Sequence, residues 1–250
     1  MKLNLSEPFL VPYKKVEELQ KHKRYVAAFI FGSVARGEQN KNSDLDVIVI
    51  TNKDNDCKEI NHPIINGIKL DITFRSFKQI EKDNMEVVEK GKRIPMIAES
   101  IIVFDKTGET TKLRNKLMKL KRKKATKKDF QFMQFMIYHA DNKAKRNLTK
   151  DKYSSLLSMN INVNEILDFH YHINGKWWLS NKRLLPDLRN WDPKLAKTLE
   201  KFVSTKNVKT KYKYFGQILN HVAEPLGGRK EISEINCNCK VCRRDLEFLV

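Results

Sequence analysis

Residues 1–110 of this 250-residue chain read as an α+β domain, a mixed sheet with flanking helices, and residues 111–250 as a mainly α-helical domain. Three observations predict this. Apolar runs of strand length alternate with helix-like stretches as far as residue 110. Helical periodicity dominates after that point. The charge also changes between the two parts. Residues 1–110 hold 18 basic and 17 acidic residues, and residues 111–250 hold 31 and 13.

The elements follow in order. Residues 14–24 form a polar, Lys-rich helix. Tyr25 to Phe31 is a continuous apolar run of strand length, ended by Gly32-Ser33. Asp44 to Ile50 starts polar and becomes a buried strand. Ile68 to Phe74 alternates apolar and polar with period two, a strand with one face buried. Residues 77–90 are helix-like, and Ile101 to Phe104 is a last short strand. From Lys112 to Lys128 there are ten basic residues and no acidic one, with Leu113, Leu117 and Leu120 at helical spacing. That pattern predicts an amphipathic, very basic helix joining the two parts. Asp129 to Asn147 carries Phe130, Met133, Ile137, Ala140 and Ala144 on one stripe. Residues 153–171 continue as helix, and Asn174-Gly175 is a turn. Asp192-Pro193 reads as an N-cap followed by proline at the first helical position, opening a helix to about Val203. A final helix spans about Asn207 to Ala223 and stops at Pro225 and Gly227-Gly228.

Composition excludes several classes. Hydrophobic residues make up 40% of the chain, enough for a real core. No apolar run approaches the ~18–20 residues of a membrane span, so no membrane partner is expected. The N-terminal MKLNLSEPFLVPYKK places Glu and Pro where a signal peptide needs its apolar region, so a cytoplasmic location is expected. Four cysteines are too few for a disulfide framework. The basic excess of the second part points to an anionic partner. A compositional bias remains the alternative, because 37 of the 49 basic residues are lysine, and phosphate recognition tends to favour arginine.

The segment that carries chemistry runs from Phe31 to Asp46. Gly32 and Ser33 follow a buried strand and open a short helix. Glycine lets the backbone approach a ligand closely, and N–H groups at a helix start suit a phosphate. After ten intervening residues come Asp44 and Asp46. At the start of a strand their side chains project from one face. Two adjacent carboxylates repel, and a divalent cation removes that cost; oxygen-only ligands favour Mg²⁺. A third carboxylate, Asp71, lies inside an apolar strand where an unpaired charge is expensive. If the strands of Asp46 and Asp71 are neighbours, the three carboxylates converge.

Gly-Ser, a spacer of about ten residues, Asp-x-Asp and a later strand Asp resemble the motif of the DNA polymerase β-like nucleotidyltransferase superfamily. The form Gly-Ser-x-Ala-Arg-Gly with Ser-Asp-x-Asp is similar to the minimal and antibiotic nucleotidyltransferase types. The resemblance covers about residues 25–75. It implies that Asp44 and Asp46 hold the Mg²⁺ on the β- and γ-phosphates of an NTP, with ATP the expected donor. With Asp71 they would hold a second Mg²⁺ near the acceptor hydroxyl. Two metals clamp the attacking and leaving oxygens of an in-line displacement. It also implies that pyrophosphate leaves, and that Asp71 can take the acceptor's proton. Gly32 and Ser33 would bind the triphosphate, with Arg36 and Ser43 as further phosphate contacts; a surface salt bridge is the competing role for Arg36.

In relatives of this kind a helical domain closes the cleft. Here Trp177 and Trp178 stand beside Lys182 and Arg183, aromatic rings for a base or sugar and cations for phosphates. A core role for one tryptophan is the alternative. Asp141, on the second predicted helix, is the local candidate for a carboxylate base. His170 and His172 read as two ordinary histidines. Cys237, Cys239 and Cys242 offer three thiolates, short of the four ligands of structural zinc. His221 is the nearest fourth ligand; reduced, unliganded cysteines are the expectation.

The expected function is therefore transfer of a nucleoside monophosphate from an NTP to an acceptor hydroxyl. RNA, a protein side chain or a non-cationic small molecule are the acceptors considered, and the basic second part favours an anionic one. A non-catalytic nucleic-acid-binding protein on the same scaffold is the alternative reading.

Overall fold

The computed structural model describes residue 5, residues 7–55 and 59–231, and residue 240. The chain divides into two compact units, Met1–Arg122 and Lys123–Val250.

The first unit is built on a five-stranded mixed sheet in the order β3-β4-β2-β1-β5. Its strands are β1 (Tyr25–Phe31), β2 (Leu45–Thr51), β3 (Ile64–Ile65), β4 (Ile68–Ser76) and β5 (Ile101–Asp105). β1 is antiparallel to both β2 and β5, β2 is parallel to β4, and β3 is antiparallel to β4. The central strands are apolar on both faces, because both faces are covered. Ala28, Ile30, Val47, Val49, Leu70 and Ile72 pack on one side with Phe9 and Val16 of α1 (Glu7–Glu18). Ala27, Phe29, Ile48 and Ile50 pack on the other side. There they meet Ile80 of α3 (Phe77–Lys90) and Leu113 and Leu117 of α4 (Glu109–Met118). The four-residue α2 (Gly32–Ala35) lies in the β1–β2 connection.

Two expectations about this unit change. The first helix begins at Glu7, not at residue 14, because Phe9 and Pro12 as well as Val16 are buried under the sheet. The unit extends to Arg122 instead of ending at 110. Leu113 is 6% and Leu117 1% exposed in the sheet's core, so α4 belongs to the sheet and not to a connector. The basic stretch is consequently not one helix. α4 stops at Met118, and Thr126 opens α5 (Lys127–Lys150) afresh with a capping box, its hydroxyl accepting the Asp129 N–H.

The second unit is helical, as expected. α5, α6 (Lys152–Ile173), α7 (Asn181–Trp191), α8 (Pro193–Ser204) and α9 (Val208–Ala223) enclose a single core. Met133, Ile137, Ala140 and Ala144 are its contribution from α5, the stripe read from periodicity. Asp151, Asp192 and Asn207 each accept a backbone N–H at the start of α6, α8 and α9. α7 contains Pro186, a residue costly inside a helix, yet Leu184 and Leu188 are buried on either side of it. Among the described residues no helix is long and apolar enough to cross a membrane.

Candidate active site

The even-numbered side chains of β2 share one face. Ile48 and Ile50 are buried in the core beneath α3 and α4. Asp46 is half-buried, and Asp44, one residue before the strand, has a side chain 38% exposed. Residues paired across a parallel ladder present side chains to the same face. Asp46 pairs with Asp71 of β4 on one side and with Phe31 of β1 on the other. The structure thus brings Asp46 and Asp71 side by side, as the convergence of three carboxylates requires.

Gly32 closes the other side of the site. Its φ is +74°, and a Cβ placed there would stand 1.9 Å from Oδ2 of Asp46. Only glycine allows the chain to turn from β1 into α2 this close to the carboxylate. Ser33 follows on α2, where its carbonyl accepts the Glu38 N–H at 2.9 Å.

Two further residues join the carboxylates. Lys69 Nζ donates to Asp44 Oδ2 at 2.9 Å and lies 3.3 Å from Asp71 Oδ1. His62 Nδ1 is hydrogen-bonded to the same Oδ1 at 2.6 Å. The carboxylates hold the Lys69 ammonium above its ordinary pKa, chiefly through the hydrogen bond to Asp44 and then that to Asp71. Burial works against ionisation of Asp71, but the bonds from His62 and Lys69 outweigh it and hold its carboxyl below the usual range. The site is therefore a carboxylate cluster drawn around one positive charge.

Lys69 is legible in the sequence. It stands two residues before Asp71 on an alternating strand, hence on the same face. His62 comes from a hairpin. Asn66 and Gly67 both have positive φ, 52° and 76°, and form the two-residue turn between β3 and β4. The returning chain pairs Ile64 with Lys69, and Asn61 bridges Ile72, which carries His62 to Asp71. An Asn-Gly turn before a strand was the available signal.

The other expected residues stand as follows. The Arg36 guanidinium is engaged by Glu38 at 2.9 Å and approached by Glu99 at 3.8 Å, the salt-bridge role. The Ser43 hydroxyl accepts the Asn40 N–H at 2.9 Å and closes the turn that leads into Asp44. Lys182 and Arg183 lie in the first turn of α7 in the second unit. Trp178 is core, edge-on to Tyr171, while Trp177 is half-buried. Asp141 is paired with Arg229 and accepts the Tyr212 hydroxyl at 2.9 Å, which suits a structural role better than that of a base. Burial, then Asp141, pushes Tyr212 up to about 12. Cys237, Cys239 and Cys242 lie outside the described residues. His221, the nearest candidate for a fourth ligand to them, is bonded to Asp192.

The donor set fits a magnesium ion. Asp44, Asp46 and Asp71 supply only oxygen, and an ammonium already lies between two of them, where the site calls for positive charge.

Residues 14–99 match the sequence model of the family described as polymerase beta, nucleotidyltransferase. No curated protein matches the chain. A nucleotidyltransferase-like protein of solved structure from Exiguobacterium sibiricum 255-15 is similar to it at 13% identity. That match covers 85% of this chain and 72% of the other, with a TM-score of 0.45. The matched residues 14–99 carry the glycine-serine turn and the carboxylates paired across β2 and β4, a nucleotidyltransferase domain of the polymerase β type.

Proposed function

We propose that the protein transfers a nucleoside monophosphate from an NTP, with ATP the expected donor, to an acceptor hydroxyl and releases pyrophosphate. The observation that carries this is the register of Asp46 on Asp71, with Asp44 tied to Asp71 through Lys69. Asp44, Asp46 and Asp71 would hold Mg²⁺, which supplies positive charge to the triphosphate and lowers the pKa of the acceptor hydroxyl.

The chain's own residues do the rest. Gly32 and Ser33 bring backbone close to the carboxylates and receive the triphosphate there. Asp71 takes the acceptor's proton; its Oδ1 is held by His62 and Lys69, so Oδ2 is the receiving atom. Lys69 shields Asp44 from Asp71 until the nucleotide arrives with its cation. The 31 basic residues of 111–250, against 13 acidic, favour an anionic acceptor, RNA before a small molecule.

The test is transfer of label from α-labelled ATP into total cellular RNA with Mg²⁺, with Asp46→Ala as control. Label in RNA with the wild type alone supports an RNA acceptor. No label in RNA, with Mg-ATP binding intact, removes RNA and leaves protein and small-molecule acceptors. Loss of Mg-ATP binding altogether overturns the catalytic reading.

A further inference from the structure

The helical unit contains a cluster that nucleotidyl transfer does not use. His170 comes from α6, His221 from α9, and Asp192 caps α8 between them. Nε2 of His170 lies 2.8 Å, and Nε2 of His221 2.7 Å, from the same carboxylate oxygen, Oδ2 of Asp192. The other oxygen, Oδ1, accepts the Leu195 N–H at 3.0 Å. The cluster is held from behind. Trp191 stacks on the His170 ring at 4.9 Å and 11°. The Trp191 indole N–H donates to Asp187 at 2.7 Å, and Asp187 also accepts the Tyr171 hydroxyl at 2.7 Å.

From this geometry we infer that His170, Asp192 and His221 bind a divalent transition cation of the zinc type, clasping α6, α8 and α9 together. The three ligand atoms all lie within 4.8 Å of one another. Two imidazole nitrogens and one carboxylate oxygen suit zinc, cobalt or iron(II), and do not suit magnesium or calcium. At ligand distances of about 2.0–2.2 Å, tetrahedral donors stand ~3.3 Å apart. The two hydrogen-bond spacings need to open by about half an ångström, and the two Nε2 atoms already stand within 4.8 Å of each other. His170 is 4% exposed and its Nδ1 has no hydrogen-bond partner, so an imidazolium is costly there. On binding, each Nε2 gives its lone pair to the cation, and the ring proton resides on Nδ1.

Three protein ligands leave a coordination position open. His221 lines a cavity of about 640 Å³ together with Lys194, Asn220, Glu224 and Arg229. The inference is independent of nucleotidyl transfer, because neither the residues nor the cation is shared with Asp44, Asp46 and Asp71.

The test is Co²⁺ titration of the full chain carrying Cys237→Ser, Cys239→Ser and Cys242→Ser, without nucleotide, read by visible absorption and melting temperature. The expected result is one tight cobalt per chain, absorption bands of nitrogen and oxygen ligation, and a raised Tm. Asp46→Ala should leave these unchanged. Asp192→Asn keeps an N-cap side chain for Leu195 and removes the charged ligand. It and His221→Gln should each weaken cobalt binding at least a hundredfold, with chelator-treated Tm close to that of the parent. Should Asp192→Asn fail to fold, His221→Gln decides alone. No stoichiometric cobalt in the serine variant overturns the proposal. So does cobalt binding that survives His221→Gln.

Discussion

Gly32 lies against the carboxylate of Asp46 so closely that a Cβ on Gly32 would stand 1.9 Å from Oδ2. Gly32→Ala therefore meets two penalties: the clash, and a left-handed backbone that costs an L-residue ~1–2 kcal/mol. The variant should lose about that much stability or more in urea unfolding. It should also lose Mg-ATP-dependent stabilisation, because Asp46 has to move. A variant that melts and binds like the wild type would show that the close approach is dispensable.

Lys69 lies between Asp44 and Asp71, two of the carboxylates proposed to hold the divalent cation. Lys69→Met removes a competitor for the carboxylates. The Mg²⁺ concentration for half-maximal Mg-ATP binding should fall about tenfold, the equivalent of ~1.4 kcal/mol. Unchanged or weaker Mg²⁺ affinity would mean that Lys69 supports the metal instead of competing with it. Calorimetric titration distinguishes the outcomes.

Leu117 is 1% exposed beneath the sheet. Leu117→Ala should destabilise the first unit by ~2–5 kcal/mol. By the same argument a fragment of residues 1–122 should fold, while one of residues 1–110, lacking Leu113 and Leu117, should not. Dispersed amide spectra of both fragments would establish that α4 is a sheet helix.

Asp129 accepts N–H and O–H from Thr126 at the start of α5. The backbone bond first, then the hydroxyl, hold its carboxyl below the ordinary value. The sign follows: the folded state favours the ionised form, so the contribution is complete above the unfolded pKa of ~3.9. It is lost as pH falls through the lower folded value. Asp129→Asn should make the protein's acid-limb stability less steep below about pH 4, measured by urea midpoint against pH. An unaltered acid limb would place the box's effect outside electrostatics.

Much of the architecture was written locally. Tyr25–Phe31, Phe77–Lys90 and the α8 start at Asp192-Pro193 follow from apolar runs, a serine cap and an Asp-Pro pair, signals carried within a few residues. Where the reading failed, a distant contact decided. Leu113 and Leu117 look like any basic amphipathic helix until Ile80 and Ile97 receive them. α7 holds Pro186 within it, and the core receives Leu184 and Leu188 on either side.

The site divides in the same way. Gly32, Ser33, Asp44 and Asp46 were legible because their chemistry is compressed into one strand-turn-strand segment, with side-chain direction set by period two. Tertiary structure alone decided that β4 pairs in parallel with β2 in the register that sets Asp71 against Asp46. It also carried His62 to Asp71 through a hairpin, and set His170 and His221, 51 residues apart in number, on one oxygen of Asp192. A strand's own sequence states which face each side chain takes. Its neighbour and its register depend on cores assembled from the whole unit, and no local window contains them.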